Sequence, residues 1–164
     1  MLSWESRRVL SRANEVQVRT SGEMRALGRE LATHLRAGDL VVLTGALGAG
    51  KTTLTQGIGE GLGVRGPVTS PTFIIARVHR SLAAGPALVH VDAYRLSDAA
   101  EVDDLDLDAD LDRAVTVVEW GEGLVEPLAD DRLEITISRP GGAVRDDETR
   151  TVRLAGVGAR WDCF

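Results

Sequence analysis

The fold of this chain is decided by the stretch Gly45-Ala46-Leu47-Gly48-Ala49-Gly50-Lys51-Thr52. A glycine, four free positions and then Gly-Lys-Thr form the pattern of the phosphate-binding P-loop. An apolar strand at residues 40–43 precedes the loop, and residues 53–58 are typical of a helix start. Because the glycines let backbone N–H groups converge at the positive end of that helix, the stretch predicts a site for nucleotide phosphates.

Lysine occurs once in the chain, at Lys51, and all the other basic residues are arginines. A single lysine at the position that the motif requires favours a functional P-loop over a glycine-rich turn with a surface lysine. Lys51 is predicted to reach the β- and γ-phosphates, and the Thr52 hydroxyl is predicted to bind Mg²⁺. The predicted nucleotide-binding set is Gly45, Ala46, Leu47, Gly48, Ala49, Gly50, Lys51, Thr52 and Thr53.

The composition predicts one folded domain, since 164 residues of which 43% are hydrophobic suffice for one core. Residues 1–13 predict a loose extension and not a secretory signal, residues 14–156 the domain, and residues 157–164 a tail. The single cysteine, Cys163, fits a reducing cytoplasm, and no apolar run is long enough to span a membrane. The net charge of −6 argues against direct binding of nucleic-acid phosphates by this chain.

Two acidic residues each follow an apolar strand. Asp92 comes after residues 88–91, and Glu119 comes after residues 114–118. The carboxyl ends of parallel strands meet at one edge of a sheet, where a P-loop also opens. Each acid alone could simply start a turn, but the pair beside a P-loop predicts a role in binding metal or positioning water.

Three further features each have two interpretations. His90, which lies two residues before Asp92, is expected more often to be a structural histidine than a ligand. Residues 64–72 predict either a plain surface connection or a switch-like loop in which Ser70 or Thr72 senses the γ-phosphate. The acidic residues of segment 98–112 lack the central glycine and terminal glutamate of an EF-hand, which favours a solvated helical face over a docking surface.

Missing motifs narrow the class of nucleotide-binding protein. GTPases normally read guanine with Asn-Lys-x-Asp, which cannot form here because Asn14 and Lys51 are the only residues of their types. A nucleotide kinase is expected to have an arginine-rich lid, and the sequence has no insertion of that length. A small ATPase that acts on a partner is the favoured interpretation. The alternatives are a small-molecule kinase and a nucleotide-gated binding module without catalysis.

The chain resembles the TsaE (YjeE) family, the bacterial ATPases needed to make threonylcarbamoyladenosine in tRNA. The resemblance rests on four blocks in the same order and spacing, which are residues 47–53, 68–73, 90–96 and 118–120. It implies an α/β, P-loop NTPase-like fold of three layers, with a central mixed sheet flanked by helices. The sheet is expected to be mostly parallel, with antiparallel hairpins at its edge. The resemblance also implies ATP and Mg²⁺ as ligands, weak hydrolysis alone, and docking onto the heterodimer of TsaD and TsaB that transfers threonylcarbamoyl to adenosine 37 of tRNA. It thus implies that this chain contacts tRNA only indirectly.

The resemblance also implies roles for individual residues, and two positions depart from the family pattern. The implied catalytic set is Lys51, Asp92, Glu119 and Thr72, the metal-binding set is Thr52, Glu119 and Asp92, and Trp120 and Arg150 join the nucleotide-binding set. The family usually has Asp where this chain has Ala46, and Thr where it has Met24. Ala46 removes a carboxylate from the loop but leaves the phosphate cradle, which consists of backbone. Free chains are expected to be monomers or weakly self-associating.

Overall fold

Seven strands form one mixed sheet in the computed structural model, which describes residues 15–71, 75–139, 148–162 and 164, and of residues 108 and 109 the backbone alone. The strands are β1 (Glu15–Val18), β2 (Leu40–Gly45), β3 (Ala76–His79), β4 (Ala87–Asp92), β5 (Ala114–Glu119), β6 (Arg132–Ser138) and β7 (Arg150–Val157). Their order across the sheet is β1-β7-β6-β2-β5-β4-β3. β4, β5, β2 and β6 run parallel, and the β1–β7, β6–β7 and β3–β4 pairs are antiparallel. The predicted α/β fold with a mixed sheet is confirmed.

Two helices cover one face of the sheet. Helix α1 (Ser21–Ala32) begins after Thr20, whose Oγ1 accepts the Glu23 N–H at 3.1 Å, and helix α2 (Lys51–Leu62) follows the P-loop. Gly28 allows the two helices to approach closely, since a Cβ atom at this position would lie only 2.4 Å from the Leu54 carbonyl oxygen. Their apolar faces join the inward side chains of the sheet in the larger core cluster, so α2 is held firmly over the parallel strands.

The opposite face carries short helices, α3 (Ala99–Asp103) and α4 (Asp108–Leu111), and a 3₁₀ turn at Glu126–Leu128. Val102, Leu107 and Leu111 are buried while most of the acidic residues between them are exposed. As predicted, the acidic residues lie on short amphipathic helical turns and mostly face solvent. None of the described helices is long and apolar enough to cross a bilayer.

The predicted tail is wrong for the residues that the structure describes. Strand β7 continues to Val157, and a 3₁₀ helix at Ala159–Trp161 packs Trp161 into the core, where it is 4% exposed. Arg160 donates from Nε and Nη2 to the two carboxylate oxygens of Asp39, at 3.1 and 3.0 Å. The domain therefore includes this segment. The predicted extension at residues 1–13 lies outside the described residues.

Candidate active site

The P-loop connects the end of β2 to the first turn of α2. Gly48 and Gly50 have φ angles of 76° and 110°, in the left-handed region that favours glycine. Gly50 is the N-cap of α2, and no side chain caps that end of the helix. The first N–H groups of the helix consequently have no side-chain acceptor and can bind an anion.

Lys51 lies inside this loop and is 5% exposed. Its Nζ donates to the carbonyl oxygens of Gly45 at 2.7 Å and Ala46 at 3.0 Å, and lies 4.1 Å from the centre of the Trp120 ring. Burial lowers the pKa of Lys51, while the negative charges of Glu119 and Asp92 act in the opposite direction. A phosphate would supply the negative charge that this buried ammonium lacks at close range.

Glu119 ends β5 beside the P-loop and is 3% exposed. Its Oε1 accepts two hydrogen bonds, from Thr52 Oγ1 at 3.0 Å and from His90 Nε2 at 2.7 Å. The strand that carries Glu119 pairs directly with β2, with Glu119 opposite Leu43. This pairing places the carboxylate against the first turn of α2, so the hydroxyl and carboxylate predicted to bind metal are in direct contact.

Asp92 ends the neighbouring strand, β4, in register with Glu119. It is 8% exposed, and its Oδ1 accepts the backbone N–H of Tyr94 at 3.0 Å. Both carboxylates line the cleft at the mouth of the P-loop. The predicted convergence of the two strand-terminal acids on the P-loop edge is therefore confirmed as geometry.

A cleft of about 450 Å³ brings most of the predicted residues together. Its walls are Leu47, Gly48, Ala49, Gly50, Lys51, Thr52, Thr53, Ser70, Asp92, Tyr94, Glu119 and Trp120. Trp120 reaches this wall from a backbone with a φ of 61°, and its ring packs edge-on against Tyr94 with centroids 5.2 Å apart. Gly45 and Ala46 lie behind the cleft, where their carbonyls hold Lys51.

A second cavity of about 250 Å³ continues from the same loop and shares Gly48, Gly50 and Thr53 with the cleft. Met24 and Arg150 line it. Arg150 donates from Nη1 to the carbonyl oxygen of Glu148 at 2.7 Å. Arg150 therefore adjoins the phosphate loop but does not line the cleft that contains Asp92 and Glu119.

The donors of the cleft fit a nucleotide with a hard divalent cation. Backbone N–H groups and a buried ammonium suit phosphate oxygens, and a hydroxyl beside a carboxylate suits Mg²⁺. Among the described residues, no group of three or more His, Cys, Asp or Glu side chains is arranged to hold a metal by itself. That is compatible with Mg²⁺, which is usually bound through one or two carboxylates together with water and substrate phosphates.

Comparison with known families gives this site a context. The family model described as "Threonylcarbamoyl adenosine biosynthesis protein TsaE" matches residues 18–148. The chain belongs to the TsaE family. A Streptomyces coelicolor protein named tRNA threonylcarbamoyladenosine biosynthesis protein TsaE is 66% identical over 139 residues, which cover 84% of this chain and 93% of that protein.

Other members of the TsaE family are more distant but similar over most of their length. A Bacillus subtilis protein of the same name is 38% identical over 141 residues, covering 85% of this chain and 84% of the relative. The crystal structure of YdiB, also from Bacillus subtilis, superposes with a TM-score of 0.69 at 32% identity, over 90% of this chain and 87% of that one. The fold described above is therefore shared with a solved structure.

The structure describes only part of the switch-like loop that the sequence predicted. Thr72, predicted for the switch-like loop, lies outside the described residues, whereas Ser70 of the same loop lines the cleft. The sequence did not identify the contact between His90 and Glu119. Strand alternation indicates only that His90 and Asp92, two residues apart, share a face of β4. The contact with Glu119 also requires that β4 and β5 pair in register.

Proposed function

We propose that this chain is the ATP-binding and ATP-hydrolysing subunit of a bacterial complex that installs threonylcarbamoyl on N6 of adenosine 37 in ANN-decoding tRNAs. The observation that carries the proposal is the 3.0 Å hydrogen bond between Thr52 and the buried Glu119 at the mouth of a P-loop. This contact joins a nucleotide-binding motif to a metal-binding carboxylate. Membership of the TsaE family supports the tRNA pathway.

Each residue of the site is proposed to have its own role in phosphoryl transfer, set by where it lies relative to the P-loop. The N–H groups at the start of α2 hold phosphate oxygens, and Lys51 exchanges the carbonyls of Gly45 and Ala46 for phosphate oxygens when nucleotide enters. Thr52 and Glu119 would hold Mg²⁺, which when bound supplies positive charge to the phosphate oxygens.

Asp92 is proposed to orient the attacking water. Its carboxylate lines the same cleft as Glu119, and its Oδ1 is held by the Tyr94 backbone N–H at 3.0 Å. A carboxylate fixed by the backbone has a defined direction and can accept a hydrogen from water. Hydrolysis by the free chain is expected to be weak, as the resemblance to the TsaE family implies.

The chain is proposed to act on the TsaD–TsaB heterodimer, with ATP turnover resetting that enzyme between cycles. The test combines a pull-down of the heterodimer, with and without ATP and Mg²⁺, and a phosphate-release assay. ATP-dependent association and a change in hydrolysis on adding the heterodimer are expected. Association that does not depend on ATP would contradict the partner proposal. Phosphate transfer to a nucleoside or sugar would instead support a kinase.

The Asp92→Ala variant separates catalysis from nucleotide gating, because Asp92 is proposed to orient the attacking water and not to hold the phosphates. If ATP occupancy alone drives docking, the variant will retain ATP-dependent association and in-cell tRNA modification while its hydrolysis is lost. If turnover resets the transferase, the variant will associate but fail to sustain modification. Arg153→Ala, a change on an exposed face of the sheet, is the matched control and should behave as wild type in both assays.

A further inference from the structure

His90 is a buried polar side chain for which the P-loop motif has no use. It is 0% exposed and lies within β4, between Val89 and Val91. Burying an imidazole in a strand costs free energy unless its polar atoms are hydrogen-bonded. The side-chain hydrogen bond that the structure shows for it is the one to Glu119, 2.7 Å long.

The direction of that hydrogen bond follows from the chemistry of the acceptor. An ionised carboxylate only accepts, so Nε2 of His90 carries the hydrogen and donates it to Oε1 of Glu119. Nδ1, by contrast, is buried without a hydrogen-bond partner among the described residues. An apolar side chain would avoid that unsatisfied atom, so packing alone does not account for a histidine at this position.

Glu119 is consequently held from two sides by different elements. Thr52, in the first turn of α2, and His90, in β4, both donate to Oε1. Two donors on one oxygen fix the rotation of the carboxylate, which a flexible glutamate side chain would otherwise leave open. The Thr52 hydroxyl uses its hydrogen in this contact and keeps its lone pairs for a cation.

We propose that His90 is a positioning residue that orients the Glu119 carboxylate for the divalent cation bound at Thr52. The inference rests on the proposed function, because it assumes that nucleotide binds at the P-loop together with Mg²⁺. His90 does not touch nucleotide or metal and acts through Glu119. Groups that orient a metal ligand in this way typically change metal affinity by about 10–100-fold when removed.

Two substitutions separate the hydrogen bond from the volume of the ring. His90→Phe keeps an aromatic ring and removes the donor, and His90→Gln keeps an amide N–H at the position of Nε2. The measurement is ATP affinity by calorimetry over a series of Mg²⁺ concentrations, with thermal unfolding as the check on folding. His90→Phe is expected to need about 10–100-fold more Mg²⁺ to reach its tightest ATP binding. His90→Gln should follow the wild type, and ATP affinity without Mg²⁺ should be equal in all three.

The outcomes distinguish this inference from the proposed function. A wild-type Mg²⁺ response in His90→Phe, or an equal loss in the Gln and Phe variants, would overturn the positioning role. A wild-type protein that binds no ATP, or binds it without regard to Mg²⁺, would overturn the proposed function itself. If His90→Phe does not fold, His90→Asn replaces it, because its amide is too short to reach Glu119. A wild-type response in that variant would overturn the role as well.

Discussion

The parallel and antiparallel halves of the sheet differ in how far their polar side chains are buried. In the parallel half, formed by β2, β4 and β5, every residue of β5 is buried, and the buried polar side chains include His90, Asp92 and Glu119. The antiparallel half is formed by β1, β7 and β6, the last of which pairs antiparallel with β7 on one edge and parallel with β2 on the other. In this half, β6 alternates buried apolar residues with more exposed polar ones. Its charges form ion pairs at the surface, such as the 3.0 Å contact between Arg153 and Glu15.

This difference in burial indicates which charged side chains are kept for function. A carboxylate held inside a protein costs free energy that a surface carboxylate does not. The parallel half nevertheless buries two of them at the carboxyl ends of adjacent strands, where α/β proteins bind ligands. Substitutions of the polar residues at the P-loop edge of the parallel half should therefore impair activity with little loss of stability, and substitutions of core residues in the antiparallel half should do the reverse.

The largest effect is expected from removing the Lys51 ammonium. Lys51→Met keeps the apolar stem and should lower ATP hydrolysis by about 10²–10³-fold, the usual effect of losing one preorganised group that stabilises transition-state charge. Because burial lowers the pKa of Lys51, its charged form is disfavoured in the folded protein, and the unfolding temperature should not fall. Phosphate release and thermal unfolding test this. Wild-type hydrolysis in the variant would remove the basis of the site assignment.

A substitution at Ile135 in β6 should lower stability and leave ATP binding unchanged. Ile135 is 0% exposed within the core, and Ile135→Val removes one methylene group without adding a polar atom. We expect the free energy of unfolding to fall by about 0.5–1.5 kcal/mol, measured by urea denaturation. ATP affinity should be unchanged. A loss of ATP affinity in a folded sample would show that the two halves of the sheet are coupled.

His79 on the edge strand β3 makes stability depend on pH. Burial lowers its pKa, with the nearby His90 and Arg77 acting in the same direction and the hydrogen bond to the Arg65 carbonyl opposing them. The unfolded chain then takes up a proton more readily than the folded protein. Stability contributed by the neutral ring is present above the ordinary histidine pKa of about 6.5 and is lost as pH falls through the lowered value.

The pH effect is measured by urea denaturation of wild type and His79→Asn between neutral and mildly acidic pH. Wild-type stability should decrease more steeply on acidification than that of the variant, which keeps an amide donor near the Arg65 carbonyl but cannot titrate. Equal slopes in the two proteins would show that His79 does not contribute.

The smallest effect is expected at the surface of the antiparallel half. Arg153→Ala breaks the exposed pair with Glu15 and should change the free energy of unfolding by less than about 1 kcal/mol. Hydrolysis should be unchanged. A large change in either would mean that the surface charges of this half are not passive.

The local features could be predicted from the sequence because they depend on short patterns. The glycines of the P-loop, the apolar runs of β2, β4 and β5, and the acid at the end of β5 are visible in the residues themselves. The convergence of Asp92 and Glu119 followed from a general property of parallel sheets.

Features that depend on distant contacts could not be predicted. Strand order is one such feature, since the sequence of β2 does not indicate that β5 and β6 are its neighbours. The burial of Trp161 is another, because the core cluster that it joins is built from helices and strands along the whole domain. His90 falls in the same class, since its hydrogen bond requires that β4 and β5 pair in register.

The most direct test of the Mg²⁺–nucleotide site is calorimetric titration of ATP into wild type and Glu119→Gln, each with and without Mg²⁺. Glutamine keeps the shape of the side chain and removes the charge that the cation requires. We predict that Mg²⁺ tightens ATP binding to the wild type and that this tightening is largely lost in the variant, while Mg²⁺-free affinity stays the same. Equal tightening by Mg²⁺ in both proteins would contradict this prediction.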